Sequence, residues 1–196
     1  SGYLESTNEP YAIAKIAGLK MCQSYNRQYG TNFIGIMPAN LYGYNDNFDL
    51  NGSHVLPAMI RKFDEAKAEG RKEITLWGSG KPRREFLFVD DMAEACLFAM
   101  NQFDPTAEQN DKGEIFFNIG AGDDITIKEL SELVKEIVGF KGKIKWDKTK
   151  PDGTPKRLLD ISKALNLGWK PKTHLAKAIK MTYDWYKNNQ KSYDTK

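Results

Sequence analysis

The hydrophobic positions of this chain follow helical spacing in some stretches and form short apolar runs in others. Apolar residues recur three and four positions apart after Tyr11, and Gly30 follows as a stop signal, which predicts a helix over 11–29 that starts near 7–10. A short apolar run ended by Pro38 predicts a buried strand over 32–37. Similar patterns predict helices over 53–68, 90–102, 126–138, 162–167 and 175–188, and strands over 73–77, 85–89, 114–119 and 144–146.

Strands that alternate with helices predict an α/β fold, with loops over 40–52, 104–112 and 150–157. The composition, 40% hydrophobic and 12% aromatic, is enough for a core, and the length of 196 residues allows one domain or one and a half. The net charge is only +3, and acidic residues lie among the basic ones, so we expect neither nucleic acid nor a membrane as a partner.

The two cysteines, Cys22 and Cys96, are far apart and lack the spacing of metal ligands, and the chain has only two histidines. A Cys/His metal site is therefore not expected. We predict two reduced, buried thiols in a cytoplasmic protein, because structural disulfides belong mainly to oxidising compartments.

A tyrosine and a lysine, Tyr11 and Lys15, lie four residues apart on one face of the first predicted helix. A free phenol exchanges protons poorly at neutral pH, and an ammonium within about 4–6 Å can lower the pKa of such a group by roughly 1–3 units. The pair suits a general acid in a carbonyl–alcohol interconversion, since the developing alkoxide needs a proton. A surface tyrosine one turn from a lysine is also common, so the spacing alone leaves a structural role open.

Further motifs follow in a fixed order, at residues 8–18, 40–43, 46–48, 53–55, 77–80, 84–91, 117–120 and 150–155. Together they resemble the extended short-chain dehydrogenase/reductase family of nucleotide-sugar enzymes, over about residues 4–188. Within that family, the stretches at 53–55 and 150–155 are most similar to the GDP-fucose synthases.

The resemblance implies the C-terminal part of a Rossmann-type parallel sheet with a smaller α/β substrate-binding domain. Residues 1–50 would hold the end of the dinucleotide-binding domain, and 51–188 mainly the substrate domain, with 85–103 returning to the Rossmann domain and 189–196 a polar tail. The family's glycine-rich phosphate loop, catalytic serine and epimerisation cysteine have no counterpart in this sequence. We therefore expect the chain to be the C-terminal part of a longer enzyme.

The resemblance also implies a role for individual residues. Tyr11 would donate a proton to the sugar C4 oxygen, and Lys15 would bind the nicotinamide ribose of NADPH and activate the phenol. His54 would be the acid/base of epimerisation. Further cofactor contacts are implied for Tyr11, Pro38, Ala39, Asn40, Leu41 and His54, and contacts with the GDP-sugar for Lys62, Trp77, Arg84 and Asp152.

Position alone leaves other roles open for three of these residues. His54 would also suit a structural place at a helix start, Arg84 a charge at a strand edge, and Trp77 a core aromatic. Asp90 and Asp91 are predicted to cap one helix, and Thr7 or Asn8 the first helix. Thr126, with Glu129 at capping-box spacing, is predicted to cap another.

The implied reaction is the 3,5-epimerisation and NADPH-dependent 4-reduction of GDP-4-keto-6-deoxy-mannose to GDP-L-fucose, in a homodimer with the Tyr11 helix at the interface. One alternative is a 4-epimerase or 4,6-dehydratase acting on a UDP- or dTDP-sugar, which needs no imidazole at position 54. Another is a non-catalytic fragment that binds a nucleotide sugar weakly.

Overall fold

The chain begins its described part with a 3-10 turn and a long helix. The computed structural model describes residues 3–50 and 52–190. After a 3-10 turn, helix α1 spans Glu9–Tyr29, and Gly30 ends it in the left-handed conformation at φ 65°, as the pattern predicts. Asn8 at the helix start makes no side-chain cap hydrogen bond, so the predicted polar cap is not formed by this residue.

Nine short strands and six further helices follow α1 in the described residues. The strands are β1 Gly35–Pro38, β2 Asn40–Tyr42, β3 Glu73–Trp77, β4 Arg83–Arg84, β5 Phe86–Phe88, β6 Phe116–Ile119, β7 Ile125–Thr126, β8 Lys143–Asp147 and β9 Lys156–Arg157. The helices are α2 Val55–Ala68, α3 Val89–Gln102, α4 Ala107–Lys112, α5 Ile127–Val138, α6 Ser162–Asn166 and α7 Leu175–Asn189.

Most strands pair in parallel, which confirms the predicted α/β class. β1 pairs with β6, β2 with β5 and β3 with β8, each in parallel. A fourth sheet has three strands in the order β7-β4-β9, and in it β4 runs antiparallel to β7 and parallel to β9. Parallel neighbours need long crossover connections, and the helices provide them.

Three elements, β2, α4 and β9, lie in stretches that the sequence predicts to be loops, and β9 forms by pairing with β4 over two residues. β2 forms there because it pairs with β5 over three residues, a long-range partner that local spacing does not reveal. α4 begins with a capping box, in which the Thr106 side chain accepts from the Gln109 N–H and the Gln109 side chain accepts from the Thr106 N–H.

Two apolar cores hold these elements together. The larger core joins α2, α5 and α7 to β3 and β5, with Leu56, Ile60, Phe63, Leu130, Val134 and Ile179 among its buried members. The smaller core joins α3 and α6 to β6, with Leu87, Ala95, Ala99, Phe117, Ile119 and Trp169. The division into domains predicted from the sequence remains a prediction.

Three sequence predictions concern the thiols, the helix caps and the chain end. Cys22 and Cys96 are free, as predicted, but both are half-buried rather than buried. Asp90 and Asp91 lie inside the first turn of α3 instead of capping it, and Asp91 accepts from the Thr173 N–H at 3.0 Å. α7 continues to Asn189, the first residue of the predicted polar tail, and 191–196 lie outside the described residues.

Within 3–50 and 52–190, every helix lacks the length or the apolarity needed to cross a bilayer.

Candidate active site

A cavity of about 320 Å³ brings together six of the residues singled out in the sequence. They are Asn40, Leu41, His54, Trp77, Arg84 and Asp152. Its wall is completed by the first turn of α2, the turn between β3 and β4, and the loop before β9. Five other predicted site residues do not line this cavity: Tyr11, Lys15, Pro38, Ala39 and Lys62.

His54 lies at the N-terminal boundary of α2, where its carbonyl accepts from the Ala58 N–H at 3.1 Å. His54 thus occupies the helix-start position considered for it, although its imidazole makes no capping hydrogen bond. The residue also lines the cavity. Asp46 lies close by: burial raises the pKa of this carboxyl, and the Asn47 N–H and the charge of His54 oppose that rise.

Arg84 lies on β4, half-buried, with its guanidinium at the cavity. Its Nη1 donates to the carbonyl oxygens of Arg83, at 2.8 Å, and Thr154, at 2.6 Å. Burial lowers the pKa of Arg84, and the neighbouring positive charge of Arg157 lowers it further. The side chain is thus anchored by backbone carbonyls at one nitrogen, which leaves other donors for a ligand.

Trp77, at the end of β3, is 68% exposed, so the core position considered for it is wrong. Its ring lies at the cavity and beneath two ammonium groups, with Lys62 Nζ 5.6 Å and Lys150 Nζ 5.4 Å from the centroid. These are cation–π distances. Lys62 therefore reaches the cavity edge through the face of Trp77.

Asp152 connects the loop before β9 to the turn after β3. Its Oδ1 accepts from the Ser79 N–H at 2.6 Å and its Oδ2 from the Ser79 hydroxyl at 2.7 Å, and these bonds lower the pKa of the carboxyl. A Cβ added to Gly78 would stand 2.5 Å from Asp152 Oδ1, and the φ of 83° there also favours glycine. Carboxylate oxygens accept more than one bond, so Asp152 can still receive a ligand hydroxyl.

Tyr11 and Lys15 form a separate group on α1. Lys15 Nζ lies 5.3 Å from the centroid of the Tyr11 ring, so the helical spacing does bring the two side chains together. Tyr11 is 60% exposed. The segment after β1 leads towards the cavity: the Ala39 N–H donates to the Ile119 carbonyl at 2.8 Å, and Asn40, next in the chain, lines the cavity.

Two residues at this site were not assigned a role from the sequence. Arg157 lines the cavity beside Arg84. Glu85 is 1% exposed, and its carboxylate accepts from the Gly122 N–H at 2.8 Å and the Leu159 N–H at 3.0 Å. A charged residue at the start of an otherwise apolar run was a signal that could have identified Glu85, because charges are rarely buried without bonding partners.

Comparisons with known proteins identify the family of this chain. Residues 2–120, more than half of the chain, match the NAD dependent epimerase/dehydratase family. The chain belongs to this family. Among relatives, it is 56% identical to a putative GDP-L-fucose synthase 2 of Arabidopsis thaliana and 48% identical to a GDP-L-fucose synthase of Escherichia coli (strain K12), over 96% of the chain in each case.

A structural likeness within the family extends over nearly the whole chain. A GDP-L-fucose synthetase from Naegleria fowleri bound to NADP is similar with a TM-score of 0.85 at 28% identity, covering 97% of this chain and 59% of that one. The alignments cover 55% of the Arabidopsis relative and 59% of the Escherichia coli relative. The chain therefore spans a little over half the length of these family members.

The described residues fit one end of the family's dinucleotide, the nicotinamide ribose. Parallel sheets bind ligands at the carboxyl ends of their strands, and Pro38 and Ala39 lie at that end of β1. Tyr11 and Lys15 offer an exposed phenol and ammonium. The glycines Gly78 and Gly80 lie in the turn between β3 and β4, and no helix within the described ranges begins on that turn. This turn does not fit the phosphate end of the cofactor.

Proposed function

We propose that this chain supplies the substrate cavity and the acid–base residues of a GDP-L-fucose synthase. The reaction is the 3,5-epimerisation and 4-reduction of GDP-4-keto-6-deoxy-D-mannose. The observation that carries the proposal is the convergence of His54, Trp77, Arg84 and Asp152 on one cavity. The names of the relatives support the choice of a GDP-sugar.

His54 is the acid/base of the epimerisation in this proposal. A ketone at C4 acidifies the hydrogens on C3 and C5, so a base at one face of the sugar can remove either one. A second acid–base group, for which this chain has no assigned residue, returns a proton to the opposite face and completes the inversion. Imidazole suits this task because it both gains and loses protons near neutral pH. The position of His54 at the start of α2, without a capping hydrogen bond and with Asp46 close by, supports the assignment.

Tyr11 donates the proton of the reduction step to the C4 oxygen. NADPH, when bound, supplies the hydride to C4. Lys15 holds the nicotinamide ribose and assists the phenol, while Pro38, Ala39, Asn40 and Leu41 border the nicotinamide, with His54 as a further contact. The contact between Lys15 and the Tyr11 ring and the NADP-bound relative support this part.

The GDP-sugar contacts come from the charged and aromatic groups of the cavity. Arg84 binds the diphosphate, since a guanidinium matches phosphate oxygens in a bidentate way. Lys62 adds a point charge at the face of Trp77, whose exposed ring packs against the sugar or the base. Asp152 accepts from hydroxyl groups of the ligand.

The assembly and the domains follow the same proposal. Residues 1–50 belong to the dinucleotide-binding domain and 51–188 mainly to the substrate domain, with 85–103 returning to the first. The partner of α1 is a second copy of the protein. The exposed apolar side chains of Ile13, Ile16 and Met21, which are 53%, 45% and 62% exposed, support a covered helix face in the assembled protein.

The test measures epimerisation separately from reduction. The whole protein that carries this chain is incubated with GDP-4-keto-6-deoxy-mannose in D₂O without NADPH, and deuterium at C3 and C5 is followed by mass spectrometry. We expect His54→Gln to slow exchange by about 10²–10⁴-fold, the usual contribution of a general base. His174→Gln is the matched control, because His174 lies outside the cavity at the start of α7. Unchanged exchange in His54→Gln would remove the assignment.

The two alternatives give different results in the same assay. A 4-epimerase or 4,6-dehydratase would turn over a UDP- or dTDP-sugar such as UDP-glucose and give no exchange with the GDP keto-sugar. A non-catalytic module would bind the nucleotide sugar and exchange no hydrogen at either carbon. Tyr11→Phe completes the set: with NADPH present, we expect reduction to fail while exchange at C3 and C5 continues.

A further inference from the structure

Glu85 carries a buried carboxylate in the gap between β4 and β5. The side chain is 1% exposed, and no Lys, Arg or His within 3–50 and 52–190 forms a salt bridge with it. Burial of an unpaired charge is costly unless hydrogen bonds compensate for it. Main-chain donors provide these bonds: Oε1 accepts from the Gly122 N–H at 2.8 Å, and Oε2 accepts from the Leu159 N–H at 3.0 Å. An apolar side chain of the same size could not make these connections.

The two N–H donors belong to different sheets. Gly122 lies shortly after β6, which pairs with β1, and the Ala39 N–H after β1 donates to the Ile119 carbonyl at the end of β6. Leu159 follows β9, which pairs with β4, and both of these strands contribute a lining residue to the cavity. The carboxylate therefore connects the strand ends that carry residues 38–39 to the strands beside the cavity.

The main chain of Glu85 makes a third connection, to Asn40. Asn40 Nδ2 donates to the Glu85 carbonyl at 2.7 Å, and Asn40 lines the cavity as the first residue of β2. β2 pairs with β5, whose first residue, Phe86, lies opposite Asn40. Glu85 thus holds the segment 38–41 directly, through Asn40, and indirectly, through the end of β6.

Close packing fixes the place of the carboxylate as well. A Cβ on Gly120 would stand 2.7 Å from Glu85 Cδ, which is closer than real Cβ atoms approach their neighbours. Gly120 is not among the glycines with a positive φ, so lack of space rather than backbone conformation calls for glycine there. Because protein interiors are close-packed, a displacement of the carboxylate is transmitted to the segments bonded to it.

The two steps of the proposed reaction depend on these connections in different ways. Reacting atoms must approach to about 3–3.5 Å, and a misplacement of about 1 Å can cost roughly 10²-fold in rate. In the reduction, hydride passes from a nicotinamide bordered by 38–41 to a sugar in the cavity. In the epimerisation, His54 exchanges hydrogens of the sugar without the cofactor. The three described bonding partners of Glu85 all lie outside α2 and the stretch 53–55.

We propose that Glu85 is a positioning residue for the 4-reduction, which holds the segment 38–41 at the hydride-transfer distance from the sugar cavity. The inference rests on the proposed function and adds to it a residue that does not line the cavity. The effect of Glu85 is selective. Loss of one of its bonds slows the reduction and spares the epimerisation, whereas loss of a residue that only stabilised the fold would weaken both steps together.

The experiment measures reduction and hydrogen exchange in the same variants. The whole protein that carries this chain is assayed for NADPH oxidation with GDP-4-keto-6-deoxy-mannose, and for deuterium uptake at C3 and C5 without NADPH. Glu85→Gln places an NH₂ group against one of the two N–H donors. We expect it to lower the kcat of reduction about 10–100-fold and to keep exchange within about threefold of the unsubstituted protein. The primary isotope effect with NADPH deuterated at the transferred position should rise, because hydride transfer becomes the slow step.

Asp64→Asn is the matched control. Asp64 is also a buried carboxylate, 3% exposed, but it lies outside the cavity and accepts from the Tyr183 hydroxyl at 2.7 Å and the Lys187 ammonium at 3.1 Å. The variant should lower the midpoint of thermal unfolding and keep the ratio of reduction to exchange within about twofold. Gly120→Ala replaces Glu85→Gln if the latter does not fold, because it displaces the same carboxylate without removing it. The same selective loss of reduction is expected.

Each outcome decides on the positioning role or on the wider proposal. Equal losses of reduction and exchange in Glu85→Gln overturn the positioning role, because a general loss of folded protein would then explain them. Unchanged reduction in Glu85→Gln, or a selective loss of reduction in Asp64→Asn, also overturns it, while the proposed function stands. If the unsubstituted protein neither exchanges nor reduces the keto-sugar, the proposed function fails, and the positioning role fails with it.

Discussion

Helices α1 and α2 each carry a proposed acid–base residue near their first turn: Tyr11 in α1 and His54 at the start of α2. The two helices differ in how much of their surface is buried. α2 buries seven of its residues and packs against α5 and β3. α1 is longer, at 21 residues, and buries only Gln23. Its apolar residues Ile13 and Ile16 remain exposed. A helical spacing of apolar residues therefore predicts the helix without predicting what covers its apolar face.

The hydrogen bonds and the ion pair of α1 join it to α4, whereas α2 is held by the larger apolar core. Gln23 Nε2 donates to the carbonyls of Asn110 and Asp111, and Arg27 Nη2 lies 2.8 Å from Asp111 Oδ1. Exposed ion pairs contribute little to stability, usually below about 1 kcal/mol. The contrast teaches that α2, beside the cavity, is held by packing within this chain, whereas α1 buries little of its surface here.

The largest expected effect compares one isoleucine from each helix. Ile60→Ala in α2 removes a side chain with 0% exposure and should lower the free energy of unfolding by about 2–5 kcal/mol, through lost burial and a cavity. Ile16→Ala in α1, at 45% exposure, should change it by at most about 0.5 kcal/mol. Urea unfolding of the chain measures both. Equal losses of unfolding free energy in the two variants would show that the apolar face of α1 is covered. If Ile60→Ala does not fold, Ile60→Val replaces it, with an expected loss of about 0.5–1.5 kcal/mol.

A second comparison uses two glycines with opposite surroundings. A Cβ on Gly120 would stand 2.7 Å from Glu85 Cδ, so Gly120→Ala should destabilise the chain by about 1–3 kcal/mol. A Cβ on Gly18, inside α1, meets nothing within 4 Å, so Gly18→Ala should stabilise the chain by about 0.5–1 kcal/mol through the better helix former. Thermal unfolding checks the signs. A destabilising Gly18→Ala would indicate that a partner packs closely against that part of α1.

The smallest effect concerns two aspartates that pair with arginine. The Arg83 and Lys156 cations hold the pKa of Asp124 in the folded chain below its usual value near 3.9. The ionised carboxylate therefore stabilises the fold above about pH 3.9, and this contribution is lost as the pH falls through the lower pKa of the folded state. Asp124→Asn should therefore unfold with a weaker dependence on pH below about 4 than the unsubstituted chain does. Asp111→Asn is the exposed control, with an expected change below about 1 kcal/mol at pH 7. Acid titrations followed by circular dichroism would contradict this if all three profiles coincide.

Local signals in the sequence account for several details of the fold. The capping box predicted at Thr126 forms, with the Glu129 N–H donating to Thr126 Oγ1 at 3.0 Å and the Thr126 N–H donating to Glu129 Oε2 at 3.0 Å. Gly30 ends α1, and β3 has the predicted bounds Glu73–Trp77. These features depend on residues a few positions apart, which is why spacing and propensity were sufficient to predict them.

The candidate site shows where local reasoning ends. The motif at 53–55 and the aromatic at Trp77 were visible in the sequence, and the structure places both at the cavity. The place of Arg157 at the cavity was not visible, because strands of two residues have no periodicity to detect and β9 forms by pairing with β4. The buried bonds of Glu85 were hidden for the same reason, since they join segments far apart in the chain.

By itself, then, the sequence determined the α/β class, the bounds of the longer elements and the pairing of Tyr11 with Lys15 across one helical turn. Only the tertiary structure decided that Arg84 and Arg157 line one cavity while Arg83 and Lys156 share the carboxylate of Asp124. The physical reason is one of range. A turn of helix is fixed by neighbours three or four residues away, whereas strand register, and with it the side of the sheet on which each charge lies, is fixed by partners that only folding brings together.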